Sequence, residues 1–149
     1  MMRYVTKSAA QTRKLGEALA RLLLPGDAVL LYGDLGAGKS EFTRGIARGL
    51  GVGETVTSPS FTILQVYESG RIPLYHFDWY RLEDPQELYE LSMEEYLQGD
   101  GAAVVEWPQQ AAEAVPVRHL RVTLTALGED KREILLEPMG GFRELEPLE

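Results

Sequence analysis

A glycine-rich stretch, G-D-L-G-A-G-K-S, combines residue types that suit phosphate binding. It fits the pattern G-x-x-x-x-G-K-[ST] from Gly33 to Ser40. Glycines let successive backbone N–H groups turn toward phosphate oxygens, while the lysine supplies a positive charge and the hydroxyl can bind Mg²⁺. The sequence therefore predicts a phosphate-binding loop that consists of Gly33, Asp34, Leu35, Gly36, Ala37, Gly38, Lys39, Ser40 and Glu41.

Such a loop requires a strand before it and a helix after it. The preceding run A-V-L-L-Y is continuously apolar, which is typical of a strand buried on both faces. Phe42, Ile46 and Leu50 follow at helical spacing, and Gly51 ends the pattern. The sequence thus predicts a strand, the loop and a helix, and the N-terminus of that helix adds its dipole to the anion site.

Two carboxylates follow predicted strands elsewhere in the chain. Asp78 ends P-L-Y-H-F-D, and Glu106 ends A-A-V-V-E. A Mg²⁺ ion at a phosphate site takes a carboxylate from the end of a neighbouring strand. Either residue can hold the metal, directly or through water, while the other positions an attacking water. The sequence thus predicts Ser40, Asp78 and Glu106 as metal ligands, and Lys39, Asp78 and Glu106 as catalytic residues. His76 should share a face with Asp78, where a structural role is favoured over a role at the metal.

The segment T-V-T-S-P-S-F-T, at 55–62, is a hydroxyl-rich loop. Its hydroxyls can reach a γ-phosphate or its metal, and loops of this kind can order around a triphosphate. The bare sequence slightly favours the alternative of a plain surface loop.

Composition restricts the function classes further. The chain has 149 residues, a formal net charge of −8 and no cysteine. The absence of cysteine excludes a disulfide scaffold and a thiol nucleophile. The acidic charge makes the chain a poor candidate for gripping nucleic acid alone. No apolar run resembles a signal peptide or a membrane span, so we expect a cytoplasmic protein without membrane contact.

The order of the predicted elements indicates the fold class. Strands alternate with helices in the first half, and hairpins follow, with strands predicted over 120–126 and 132–137. This order predicts an α/β, three-layer P-loop NTPase-like fold with a mixed sheet and a C-terminal β-hairpin. We expect a single domain over 1–149, with 139–149 as a frayed tail.

Four motifs in one order resemble a known family. They are the glycine loop, S-P-S-F-T, H-F-D-W-Y-R-L followed by D-P-Q-E-L, and V-V-E-W-P-Q. Together they resemble the bacterial TsaE (YjeE) family over roughly Ser8 to Gln110. The phosphate loop alone is unspecific, whereas H-F-D-x-Y-R-L combined with E-W-P is highly specific.

The resemblance implies a small ATPase that uses ATP and Mg²⁺ and has weak turnover of its own. It implies TsaD and TsaB as partners, which transfer a threonylcarbamoyl group to an adenosine beside the anticodon of tRNA. The tRNA would be met only through that complex. The resemblance also implies roles at the nucleotide: Lys39 and Ser40 for phosphate and Mg²⁺, Asp78 as a Walker B-like carboxylate, Glu106 as the second acidic group, Ser60 and Thr62 in a switch-like loop, and Ala9 beside the adenine.

Glu41 departs from the family pattern, where a second hydroxyl is common. A carboxylate there repels phosphate unless it turns away or pairs with Arg44 or another cation. Two other classes of function stay open. A small-molecule kinase needs an acceptor site and an arginine-bearing lid, and the sequence has no long Arg-rich insertion. A nucleotide-dependent binding module without useful hydrolysis is the third reading.

Overall fold

The computed structural model describes residues 1–57, 63–90 and 93–148. Within these ranges the chain forms one seven-stranded mixed sheet with helices on both faces. The strands are β1 (Met2–Thr6), β2 (Ala28–Tyr32), β3 (Leu64–Tyr67), β4 (Leu74–Asp78), β5 (Ala102–Glu106), β6 (His119–Ala126) and β7 (Arg132–Met139). The helices are α1 (Ala9–Ala20), α2 (Lys39–Leu50), α3 (Gln86–Glu90) and α4 (Glu94–Leu97), with a 3₁₀ segment over Pro108–Ala114.

The sheet order is β1-β7-β6-β2-β5-β4-β3. Strand β2 lies parallel to both β5 and β6, and β4 lies parallel to β5. The outer pairs are antiparallel: β3 with β4, β6 with β7, and β1 with β7. Because β2, β4 and β5 run in one direction, their carboxyl ends meet at one edge of the sheet, beside the loop that follows β2.

The two faces of the sheet carry separate hydrophobic cores. Val29 and Leu31 of β2 pack with Phe42 and Ile46 of α2 in one core. Leu30 points the other way and packs with a second set that includes the fully buried Trp79. This alternation, expected for a central strand, produces three layers. The prediction of a three-layer α/β fold with a mixed sheet and a C-terminal hairpin is confirmed.

Strand β1 was not expected from the sequence. Its residues M-R-Y-V-T pair in antiparallel register with β7, for example Tyr4 with Ile134. Directly after it, Ser8 caps the N-terminus of α1, because its hydroxyl accepts a hydrogen bond from the Gln11 backbone N–H at 3.1 Å.

The C-terminal segment differs from the expected frayed end. Phe142 is buried in the core that contains the inner faces of α1 and α2, and Leu145 and Leu148 pack against the same core. Arg143 donates to both carboxylate oxygens of the buried Asp27, at 2.9 and 2.8 Å. Residues 142–148 are therefore held by a buried charge pair and by apolar contacts.

Candidate functional site

The loop after β2 has the backbone conformation that its glycines predict. Gly38 lies at the N-cap of α2 with φ 102°, a left-handed conformation that side chains disfavour. A Cβ there would meet only ordinary van der Waals contacts, so the need for glycine at this position is conformational. Gly33 is different, because a Cβ on it would lie 2.6 Å from the carbonyl oxygen of Leu124.

Helix α2 begins without a side-chain cap. Lys39 is its first residue, Ser40 follows, and the N-cap residue Gly38 has no side chain to accept a hydrogen bond from the first turn. The first N–H groups of a helix have no partner within the helix, and the helix dipole makes this end electropositive. The start of α2 is thus suited to an anion.

The Lys39 side chain is buried at the start of α2. Its exposed fraction is 5%, and its Nζ atom has no hydrogen-bond partner among the described residues. The Nζ atom lies 3.4 Å from the centroid of the Trp107 ring, within range of a cation–π contact. Burial lowers the pKa of Lys39, against the opposing effect of Glu106, Asp78 and Asp34. A buried ammonium of this kind is suited to bind an anion.

The two predicted carboxylates lie side by side. Asp78 and Glu106 are register partners at the ends of the parallel strands β4 and β5. Burial raises the pKa of Asp78, and the neighbouring Glu106 adds to this, although the Tyr80 backbone N–H donates to Asp78 Oδ1 at 3.0 Å. Glu106 is 4% exposed, and its Oε2 atom lies 2.6 Å from His76 Nε2.

These groups surround one cavity of about 350 Å³. The site residues predicted from the sequence that line this cavity are Leu35, Gly36, Gly38, Lys39, Ser40, Glu41, Asp78 and Glu106. Gly33, Asp34 and Ala37 belong to the loop without lining the cavity, and Ala9 lies exposed in the first turn of α1, also outside the lining. Ser60 and Thr62 lie outside the described residues.

Glu41 is neutralised by two cations. Its carboxylate pairs with Arg13 of α1 at 2.5 Å and with Arg44 of α2 at 2.6 Å. A glutamate at this position repels phosphate unless its charge is compensated, and the ion pair with Arg44 provides this compensation. Arg13 is a second cation, which helical spacing within α2 could not reveal.

Three further residues line the cavity that sequence reasoning did not assign to it: Tyr80, Trp107 and Arg132. Arg132 of β7 donates to the Gly36 carbonyl at 3.0 Å, which ties the loop to the β6–β7 turn. Trp107 has φ 58°, the one positive φ outside glycine among the described residues, and its ring packs on Tyr80. Its position directly after Glu106 is the sequence signal that could have placed Trp107 at the cavity.

The donor set of the cavity fits a phosphate group with Mg²⁺. The uncapped helix and Lys39 suit phosphate oxygens, and the Ser40 hydroxyl with the two carboxylates suits a hard cation. In the described part of the chain, no group of three or more His, Asp or Glu side chains could hold a metal ion by itself. Mg²⁺ at nucleotide sites usually completes its ligands with phosphate oxygens and water.

Comparison with known protein families shows to which family this chain belongs. The family model described as "Threonylcarbamoyl adenosine biosynthesis protein TsaE" matches residues 6–134. The chain belongs to the TsaE family. The matched region includes the phosphate loop, Asp78 and Glu106, and it ends two residues after Arg132.

Individual relatives agree with this assignment. A TsaE protein of Bacillus subtilis (strain 168) is 40% identical over 144 residues, which cover 97% of this chain and 90% of the relative. A TsaE protein of Treponema pallidum (strain Nichols) is 41% identical over 133 residues, which cover 89% of this chain and 98% of the relative. Both are named tRNA threonylcarbamoyladenosine biosynthesis proteins.

A solved structure supports the fold. The crystal structure of YdiB from Bacillus subtilis superposes with a TM-score of 0.81 at 36% sequence identity. The superposition covers 94% of this chain and 86% of that one.

The helices of the described chain are short. Across residues 1–57, 63–90 and 93–148, none of the helices is long and apolar enough to cross a membrane.

Proposed function

We propose that this TsaE-family chain is an accessory ATPase of tRNA threonylcarbamoyladenosine biosynthesis. It binds ATP with Mg²⁺ and hydrolyses it slowly, in support of a TsaD–TsaB complex that modifies the adenosine beside the anticodon. The observation that carries this proposal is the buried Lys39 ammonium, which has no hydrogen-bond partner in the described part of the chain and lies at the start of α2, beside a cavity lined by Asp78 and Glu106.

Each group of the site has a role in this proposal. The N–H groups of 33–40 and Lys39 would hold the phosphates, and the Ser40 hydroxyl with either Asp78 or Glu106 would hold Mg²⁺. When bound there, Mg²⁺ would supply positive charge against the negative charge that develops on the phosphoryl oxygens. One of the two carboxylates would ligate the metal and the other would position the attacking water, and either residue can have either role. By the family resemblance, Ser60 and Thr62 would belong to a switch-like loop at the γ-phosphate, and Ala9 would lie beside the adenine.

The partner assignment is supported by names and by charge. The relatives are named for tRNA threonylcarbamoyladenosine biosynthesis, and the family resemblance implies TsaD and TsaB as partners in it. The net charge of −8 disfavours a direct grip on tRNA, so the chain meets tRNA through the TsaD–TsaB complex. We place this work in the cytoplasm, without a membrane.

ATP hydrolysis by the pure protein, alone and with its cognate TsaD–TsaB pair, tests the proposal. We expect low turnover alone and marked stimulation by the pair, with Lys39→Met inactive in both settings. Equal low turnover in both settings would favour a passive nucleotide-binding module. Efficient transfer of phosphate from ATP to a small acceptor, in a screen run beside it, would favour a kinase.

A further inference from the structure

His76 and Glu106 form a buried pair that the roles assigned above leave unexplained. His76 Nε2 lies 2.6 Å from Glu106 Oε2, and the two side chains are 2% and 5% exposed. A polar pair this deeply buried is costly unless its hydrogen bonds are made. The contact therefore fixes the Glu106 carboxylate from one side.

The strand geometry explains why these two residues meet. Leu74 on β4 and Val104 on β5 both belong to the core on the α1 and α2 side of the sheet. Because side chains alternate along a strand, His76, two residues after Leu74, and Glu106, two residues after Val104, point to that same side. His76 is the register partner of Val104, so its ring reaches forward to the next inward-facing residue of β5.

The contact with Glu106 and the lack of a described partner at Nδ1 favour one tautomer of the His76 ring. His76 Nδ1 is buried and has no hydrogen-bond partner among the described residues. The tautomer with its proton on Nε2 donates to Glu106 and leaves no buried N–H unpaired. Glu106 thus accepts a hydrogen bond at Oε2, while its side chain still lines the cavity beside Asp78.

We infer that His76 is a positioning residue, which holds Glu106 so that its second oxygen, Oε1, faces the cavity. This inference rests on the proposed function, because Glu106 must act at the nucleotide for its orientation to matter. A glutamate side chain has three rotatable bonds, and one fixed oxygen restricts the direction of the other. Partners that orient a ligating or catalytic carboxylate typically contribute about 10–100-fold to activity.

A purely structural role for His76 makes different predictions. If His76 only satisfied the buried carboxylate, its removal would lower stability without changing turnover by the folded protein. If it orients Glu106, the loss falls on kcat, while the KM for ATP changes little because Lys39 and the loop bind the phosphates. Stability and turnover therefore have to be measured on the same variants.

The test compares His76→Gln with His76→Leu and His76→Asn. The Gln side chain can place an amide N–H near the position of Nε2, whereas Leu has no donor and Asn is too short to reach Glu106. Tyr75→Phe is the matched control, because Tyr75 is the neighbouring buried residue, faces the other core and loses only its hydrogen bond to Asp100. Folding is checked by thermal unfolding, and turnover is measured with TsaD and TsaB present.

We expect kcat to fall about tenfold or more in His76→Leu and His76→Asn. His76→Gln should retain most of the turnover, and Tyr75→Phe should keep wild-type kcat. If His76→Leu fails to fold, His76→Asn carries the comparison. Wild-type kcat in either of these two variants would overturn the inference. An inactive wild-type protein would instead contradict the proposed function, so the two failures are distinguishable.

Discussion

The Lys39 ammonium rests on the face of the Trp107 ring, 3.4 Å from its centroid. A cation–π contact contributes about 0.5–2 kcal/mol, whereas each hydrogen bond to a charged group contributes about 1.5–3 kcal/mol. Phosphate oxygens that offer Lys39 several such bonds would therefore displace it from the ring. Trp107 stabilises the lysine only while no stronger partner is present.

Replacing Lys39 should separate stability from binding. Lys39→Met removes a buried ammonium that has no hydrogen-bond partner among the described residues, so we expect the free energy of unfolding to rise by about 1 kcal/mol. The same change should abolish ATP binding. Thermal unfolding and calorimetric titration with ATP and Mg²⁺ measure the two effects, and Lys14→Met on helix α1 is the control. A destabilised variant that still binds ATP would contradict the role of Lys39.

Trp107 should report nucleotide binding. When Lys39 moves from the ring to phosphate, the surroundings of the indole change, and its fluorescence should change in intensity. The other tryptophan, Trp79, is fully buried in the opposite core. Its Nε1 atom has no hydrogen-bond partner in the described ranges, so replacing Trp79 by Phe breaks no hydrogen bond there. Titration of the Trp79→Phe variant with ATP and Mg²⁺ therefore follows Trp107 alone. Unchanged emission at saturating ATP would show that Lys39 stays on the ring.

The Asp78 carboxyl should destabilise the folded state more at neutral pH than at acid pH. Its pKa is raised above the ordinary value by burial, so the folded state holds this proton more tightly than the unfolded state. The penalty for ionising Asp78 is absent below the unfolded pKa and grows as pH rises through the window between the two values. Asp78→Asn lacks this penalty.

We therefore expect Asp78→Asn to raise the melting temperature at pH 7 to 8. The gain should disappear as pH falls toward about 4, close to the ordinary pKa of an aspartate. Thermal unfolding of both proteins across this range measures it, at matched ionic strength. A gain that is independent of pH would assign the effect to packing rather than to the charge.

Glu41 should weaken ATP binding through its negative charge. Glu41→Gln leaves Arg13 and Arg44 free to face the phosphates, and we expect ATP affinity to rise about twofold to fivefold. Stability should fall by less than about 1 kcal/mol, because these ion pairs are partly exposed. Glu17→Gln is the control, since Glu17 also joins α1 to α2 through a pair with Arg48. Equal effects of both substitutions on affinity would contradict a local charge effect.

The C-terminal segment should contribute substantially to stability. Arg143→Met leaves Asp27, which is 1% exposed, with only the longer contact to Arg118 at 3.3 Å among the ion pairs of the described chain. Breaking a buried charge pair by removing one partner costs about 3 kcal/mol. Urea unfolding of Arg143→Met should show a loss of this size, whereas Arg3→Met, from an exposed pair with Glu133, should show little change. A small loss for Arg143→Met would mean that the tail contributes through apolar contacts alone.

Local patterns in the sequence were sufficient for most of the fold. The apolar run of β2, the glycine loop and the spacing in α2 each specify their structure within a few residues, and the β3–β4 and β6–β7 hairpins have turn residues between their strands. Strand β1 has no such signal. Its five residues form a strand because β7, about 130 positions later, offers them an edge.

Some residues of the site could not be predicted from the sequence for the same reason: their contacts join positions that are far apart in the chain. The contacts between Arg132 and Gly36, between Arg13 and Glu41, and between His76 and Glu106 join residues 28 to 96 positions apart. The docking of the tail depends on Asp27 and Arg143, which are 116 positions apart. Residue types alone indicated the glycine loop and both carboxylates as candidates, because the chemistry of phosphate and metal restricts those types. The residues that support them are recognised only from tertiary contacts.

We propose the cavity between the loop, Asp78 and Glu106 as the site for ATP and Mg²⁺. A crystal structure with a non-hydrolysable ATP analogue and Mg²⁺ would show whether the ligand binds there. We expect the triphosphate within the loop 33–40, Lys39 moved from Trp107 to the phosphates, and Mg²⁺ on Ser40 with Asp78 or Glu106. An analogue bound elsewhere, with Lys39 still on the Trp107 ring, would contradict it.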